Sequence, residues 1–167
     1  MCCKNFMKYF LGVDPGIHGA IAVLQENGRL IDVFDMPITK VKVGAGFKTR
    51  IVAARLQEIL APYTDSVGWV EKVSSRPGQG VSSVFAFGEA YGLICGVLAG
   101  LCVPVNTVSP SVWKKSMKLD SDKEGSRRCA MEAWPENQKL FFRAKDDGRA
   151  EAALLALYGK SNTKVTD

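Results

Sequence analysis

Two rhythms of apolar and polar residues alternate along the 167-residue chain. Short apolar runs at Tyr9–Val13, Ala20–Gln25 and Arg29–Met36 read as strands. Glu26-Asn27-Gly28 joins the last two as a hairpin, because Asn-Gly favours the turn that matches strand twist. Thr39–Phe47 is basic and glycine-containing and reads as a loop. The rhythm then turns helical over Lys48–Leu60, where Ile51, Val52, Arg55, Leu56, Ile59 and Leu60 recur at three- and four-residue spacing, with Pro62 just past the end. Ser66–Val70 is a short strand that runs straight into Glu71, and Ser74–Ser83 is a loop rich in glycine and serine. Phe85–Leu101 is apolar at almost every position and predicts a largely buried helix, followed by a strand over Val103–Val108. Ser109-Pro110 opens another helix with proline at its first position. Ser121–Trp134 predicts a charged helix stopped by Pro135, and Asp147–Gly159 the last helix, with Gly159 as its C-cap. The tail from Lys160 is expected to fray.

The resulting order, β-β-β-α-β-α-β-α-α-α, predicts an α/β fold with a mixed sheet of five strands and helices on its faces. No internal repeat or linker divides it, so residues 1–167 are expected to form a single domain.

Composition narrows the function without naming it. Apolar residues make up 47% and charged residues 23%, which suits a chain with a packed core. The net charge of +5 favours polyanionic partners. The cysteines, Cys2, Cys3, Cys95, Cys102 and Cys129, are odd in number and match no zinc spacing, and Cys95 and Cys102 read as small core residues. A reducing, cytoplasm-like compartment is the expectation. The first ten residues carry no long apolar segment before a cleavage site, so no signal peptide is expected. The apolar run from Ala90 to Val105 is short for a membrane span, and no membrane partner is expected.

Acidic residues stand where a core would not want them. Asp14 ends the first strand and Glu71 ends the strand after the apolar "VGWV". Asp146-Asp147 opens the last helix, with Glu151 one turn beyond Asp147 and on the same face. Strand C-terminal ends are where mixed α/β sheets gather their ligand sites. Each acid has an ordinary explanation of its own: a turn at Asp14-Pro15-Gly16, a surface ion pair for Glu71, an N-cap for Asp147. Together they would repel one another unless cations neutralised them. Mg²⁺ accepts carboxylates with water and phosphate, and two such ions can drive phosphodiester cleavage. His18 is the sole histidine, too few for a histidine-based nuclease or a zinc hydrolase, and nothing marks it as a base.

Four segments in order, "GVDPGIHGAIAVL", "WVEKVSSRPGQGVSSVFAFGEAYG", "VSPSVWKK" and "KDDGRAEAALLALYG", resemble the RuvC-type Holliday junction resolvases of the ribonuclease H-like superfamily over roughly residues 8–158. The glycine-rich second segment looks most like the phage-type members. The resemblance implies the ribonuclease H-like fold and assigns Asp14, Glu71, Asp147 and Glu151 as catalytic ligands of two Mg²⁺ or Mn²⁺ ions, with no small-molecule cofactor. It implies a homodimer that makes paired symmetric nicks in a four-way DNA junction, in the cytoplasm of a bacterial or phage-infected cell. Candidate DNA contacts are then Arg76, Gln79, Lys114, Lys115, Lys118, Lys123 and Arg128. Trp113 reads as a packing residue.

Two departures stand out. The bacterial members end on two acids at i, i+3, but Gly148 sits three before Glu151, so its partner is Asp147 or Asp146; a shared helix face favours Asp147. The aromatic residue that bacterial members carry after the glutamate is replaced by Ser74, with Phe85 or Phe87 as possible substitutes. A related nuclease acting on RNA or an RNA–DNA hybrid, or on other branched DNA, would use the same acids. A catalytically silent junction binder would not need them. A nucleotide-binding module of the actin-like type would need a second subdomain for which the chain has no room.

Overall fold

The structure is a computed structural model that describes residues 8–72, 74, 78–119 and 123–163. Strands β1 (Tyr9–Val13), β2 (Ala20–Gln25) and β3 (Leu30–Asp35) form an antiparallel meander. β4 (Ile38–Val43) and β5 (Gly46–Ile51) form a separate two-stranded hairpin. After helix α1 (Ala53–Leu60) and a 3-10 turn over Ala61–Tyr63, β6 (Ser66–Glu71) enters the main sheet. Then come α2 (Val81–Gly100), β7 (Val105–Val108), α3 (Pro110–Ser116), α4 (Lys123–Ala133), two further 3-10 segments, and α5 (Asp147–Asn162). The sheet order is β3-β2-β1-β6-β7, with β6 parallel to both β1 and β7.

The central strands are apolar on both faces because both faces are covered. Phe10, Ala20, Ala22 and Leu24 pack with Trp113, Ala130, Phe141 and the core side of α5. The alternate residues Leu11, Val13, Ile21 and Val23 pack with Leu56 and Leu60 of α1 and Ile94 and Leu98 of α2. This is the expected α/β architecture, a five-stranded mixed sheet between helices, and it is a ribonuclease H-like fold. α5 is buried nearly all round, from Ala150 to Gly159, between the sheet and α4.

Five local expectations are corrected. Residues 39–47 are no loop: "ITKVKV" and "GFKTRI" pair as β4 and β5 around Gly44, whose φ of +59° makes the turn. Lys48–Ile51 consequently belongs to β5, and α1 begins only at Ala53. Gly159 does not cap α5, which continues to Asn162; a Cβ at 159 would overlap the Trp69 ring, so close packing explains the glycine. α2 begins earlier than expected, at Val81, and is not largely buried. Only Ala90, Ile94 and Leu98, one residue per turn, are buried in its twenty residues. It is the one helix among the described residues long and apolar enough, by length and composition, to cross a membrane. Cys95 and Cys102 are likewise not core residues: Cys95 is half-buried and Cys102 is exposed.

Candidate active site

β1 and β6 run parallel at the centre of the sheet, with Val13 opposite Val70. The next residue on each strand is therefore an acid, Asp14 beside Glu71. The loop after β1 folds back tightly: the Asp14 amide donates to the Ala20 carbonyl, the Gly19 amide to the Gly16 carbonyl, and the Gly16 amide to Asp14 Oδ1 at 3.3 Å. The glycines here serve this packing. A Cβ on Gly19 would overlap the Asp14 carbonyl, and one on Gly12 would overlap the backbone of Ala152 and Ala156. Gly12 thus lets α5 lie directly on β1. Gly148, the second residue of α5, does the same, for a Cβ there would sit 2.6 Å from the His18 carbonyl oxygen and 3.3 Å from Asp14 Oδ2. The start of α5, with Asp147 and, one turn on, Glu151, is thereby held against the Asp14 loop.

The electrostatics register this convergence. The Asp14 carboxyl is pushed up to about 7, first by burial, then by Glu71, with further upward contributions from Glu151 and Asp147; the Gly16 amide pulls the other way. Asp146 faces elsewhere. It is buried at 2% exposure and accepts hydrogen bonds from the Arg143 backbone and guanidinium at 2.9–3.2 Å, with Arg149 at 3.8 Å. Bonding to Arg143 holds its carboxyl below the usual range against the cost of burial. Of the two adjacent aspartates, Asp147 is the one that acts on Asp14.

α3 supplies two contacts that the sequence pattern did not disclose. Trp113, fully buried, donates its indole N–H to Glu71 Oε2 at 2.7 Å, and Lys114 Nζ lies 2.7 Å from Glu151 Oε1. Lys114 is accordingly half-buried against an acid, whereas Lys115, Lys118 and Arg128 are exposed. Gln79 is exposed at the rim of a cleft of about 630 Å³ whose lining includes Asp14, Asp147, His18, Arg50 and Phe87. Arg50 of β5 pairs with Glu89 of α2 across this cleft. Glu71 and Glu151 do not line it; they lie where α3 engages them. Ser74 and Phe85 are exposed, Phe85 at 72%. Arg76 and the Lys123 side chain lie outside the described residues.

Carboxylate oxygens alone are the donor set that hard divalent cations take, and a half-buried group of four acids is the charge that such ions offset. The chemistry fits Mg²⁺ or Mn²⁺. Among the described residues no three His, Cys, Asp or Glu are close enough as they stand to hold one ion. The acids converge on Asp14, while Trp113 and Lys114 occupy an oxygen each of Glu71 and Glu151.

The chain superposes on the Thermus thermophilus RuvC structure with a TM-score of 0.55 and 18% sequence identity, covering 89% of this chain and 93% of that one. It also superposes on T. thermophilus RuvC in complex with Holliday junction substrate, with a TM-score of 0.62 and 16% identity, covering 89% and 92%. The fold is therefore RuvC-like. No family model and no curated protein matches the sequence.

Proposed function

We propose that this chain is a structure-selective endodeoxyribonuclease that resolves four-way DNA junctions by paired symmetric nicks through phosphodiester hydrolysis. The observation that carries the reading is the gathering of Glu71, Asp147 and Glu151 around a half-buried Asp14 at the C-terminal ends of two parallel strands in a RuvC-like fold. Asp14, Glu71, Asp147 and Glu151 would hold two Mg²⁺ or Mn²⁺ ions. Bound there, the ions would supply an activated water and offset charge on the phosphate. The protein's own part is to orient: β1 and β6 fix Asp14 and Glu71, and the glycine contacts at 12 and 148 fix α5 with Asp147 and Glu151.

DNA would be held by Arg76, Lys115, Lys118, Lys123 and Arg128, whose positive charge matches the phosphate backbone, and by the neutral amide of Gln79. Lys114 joins this set once it is released from Glu151. The "GQGVSS" segment supports the phage-type subgroup, and the compartment would be the cytoplasm of a bacterial or phage-infected cell. Paired nicks require two sites, so the working unit would be a homodimer; the exposed apolar face of α2 supports it.

The test digests a four-way junction, a linear duplex, an RNA–DNA hybrid and a structured RNA in parallel with Mg²⁺ or Mn²⁺. The four-way junction should be cut in preference to the others. Asp14→Asn should bind it with unchanged affinity and cut it at least about 10²-fold more slowly, the scale of losing one strong transition-state contact. Preferential cutting of RNA or hybrid would move the chain to the ribonuclease reading, and equal cutting by Asp14→Asn would remove the acids from the mechanism.

A further inference from the structure

A buried indole N–H needs an acceptor, and the three tryptophans of this chain choose differently. Trp69 donates to the Thr163 hydroxyl at 3.0 Å and Trp134 to the Gly28 carbonyl at 3.1 Å, both neutral groups remote from the acids. Trp113 donates to a carboxylate, Glu71 Oε2, at 2.7 Å, the short distance of a charge-assisted bond. We propose that Trp113 is the positioning residue of the cation site: its N–H anchors one oxygen of Glu71 and so fixes the direction in which the carboxylate faces the cation. This rests on the reading that the acids hold divalent cations.

The topology explains why the indole reaches that oxygen. Glu71 ends β6 opposite Val108, the last residue of β7. Ser109 and Pro110 turn the chain at once into α3, so one turn later Trp113 lies back over the end of β6. Its ring is fully buried there, in the core cluster that also holds Val108, Ala130, Trp134, Phe141 and Leu154. An indole N–H donates only and does not titrate, so it cannot exchange roles with the carboxylate as pH changes. Glutamate has three rotatable side-chain bonds, and at a strand end nothing in the strand itself selects among its rotamers. Trp113 contributes to that selection through a rigid ring. The same helix meets the second acid at the next residue, Lys114 against Glu151, but that contact is an ion pair of a flexible chain that an incoming cation can displace. Trp113 carries no charge for a cation to repel, so its bond to Glu71 persists in the loaded site. Groups that orient metal ligands in this way commonly set affinity by about 10–100-fold.

Two measurements on the full chain test this without DNA. In ¹H–¹⁵N spectra the three indole N–H signals are assigned by single Trp→Phe variants, and Mg²⁺ or Mn²⁺ is titrated in. The Trp113 signal should shift saturably with Mg²⁺ and broaden with paramagnetic Mn²⁺, while the Trp134 signal stays in place. By calorimetry, Trp113→Phe, which keeps a ring and loses the N–H, should bind Mn²⁺ at least tenfold more weakly. Trp134→Phe, which loses an equivalent bond elsewhere, should bind it as the wild type does. An unmoved Trp113 signal, or equal Mn²⁺ affinity in the two variants, overturns the proposal. Because the spectra use the wild-type fold, they decide even if Trp113→Phe is unstable. A chain that cuts junctions while its Trp113 signal stays silent refutes this inference alone. A responsive Trp113 signal in a chain that cuts no junction supports the inference and refutes the junction reading.

Discussion

Asp14 is where burial and like charge act together on a single carboxyl. Its folded value near 7 lies above the ordinary 3.8, so the folded chain holds the proton more tightly than the unfolded chain does. The sign follows: stability from this group is complete below about pH 4 and is lost as pH rises toward 7. Cation-free protein should therefore lose stability across that interval, and Asp14→Asn, which carries no charge to bury, should not. Above pH 7 in chelator the variant should be the more stable by roughly 1–2 kcal/mol, a figure discounted for the solvent that still reaches the group. Denaturant melts at pH 4.5, 6 and 8 would show this, and equal slopes for the two proteins would remove Asp14 as the source. Adding Mg²⁺ should stabilise the wild type at pH 8 and leave the variant nearly unchanged, because a cation takes the place of the missing proton.

Between elements, the decisive contact is the one that lays α5 on β1. At Gly12 even a methyl group meets the Ala152 carbonyl and the Ala156 amide, both backbone, which cannot move aside as a side chain can. Gly12→Ala should cost about 1–3 kcal/mol by overpacking, and it should lower cleavage further than stability explains, because α5 carries Asp147 and Glu151. Gly125→Ala, in α4 with open space around it, should instead gain roughly 0.5–1 kcal/mol. Thermal melts beside cleavage rates test both; a harmless Gly12→Ala would mean that α5 can slide without disturbing the site. Legibility in sequence followed the same division. β1, β2, β6 and α5 could be read because their burial leaves long apolar runs, and Asp14 and Glu71 stood out as charges ending such runs. β4 and β5 were hidden, since a hairpin with every residue from Ile38 to Lys48 exposed carries lysines where a core strand carries aliphatics. Apolar composition disclosed α2 but not its exposure, because composition does not say what covers a face. Trp113 escaped because its acceptor, Glu71, lies forty-two residues away in the chain and is brought to it by the β6–β7 register, which no local pattern discloses.

For the whole molecule the open question is what covers α2. Its buried stripe, Ala90, Ile94 and Leu98, faces the sheet. Its opposite face carries Gly88, Gly92, Gly96 and Gly100 at four-residue intervals, each with open space where a Cβ would be, and its first turns expose Val81 at 87% and Phe85 at 72%. A helix of this length runs about 30 Å, and a row of small residues lets a second backbone approach closely. Two-fold symmetry presents the same row on both partners, so a single face serves as both halves of a contact. Phe87 and Glu89 of the same helix line the cleft that holds Asp14, so two copies joined along α2 would carry one cleft each on either side of the axis, as paired nicking requires. The wild type should accordingly sediment at twice the monomer mass. Gly92→Leu combined with Gly96→Leu should sediment as a monomer at the same concentration, since leucine raises helix propensity while it blocks close approach. Nicks on a junction should then become uncoupled in time, with each single-strand rate kept within a few-fold. A wild-type monomer would refute the dimer, and a double variant that remains dimeric would place the interface away from α2. The intact Mg²⁺ response of Trp113 in that variant would show that the loss of coupling comes from separated subunits and not from a damaged site.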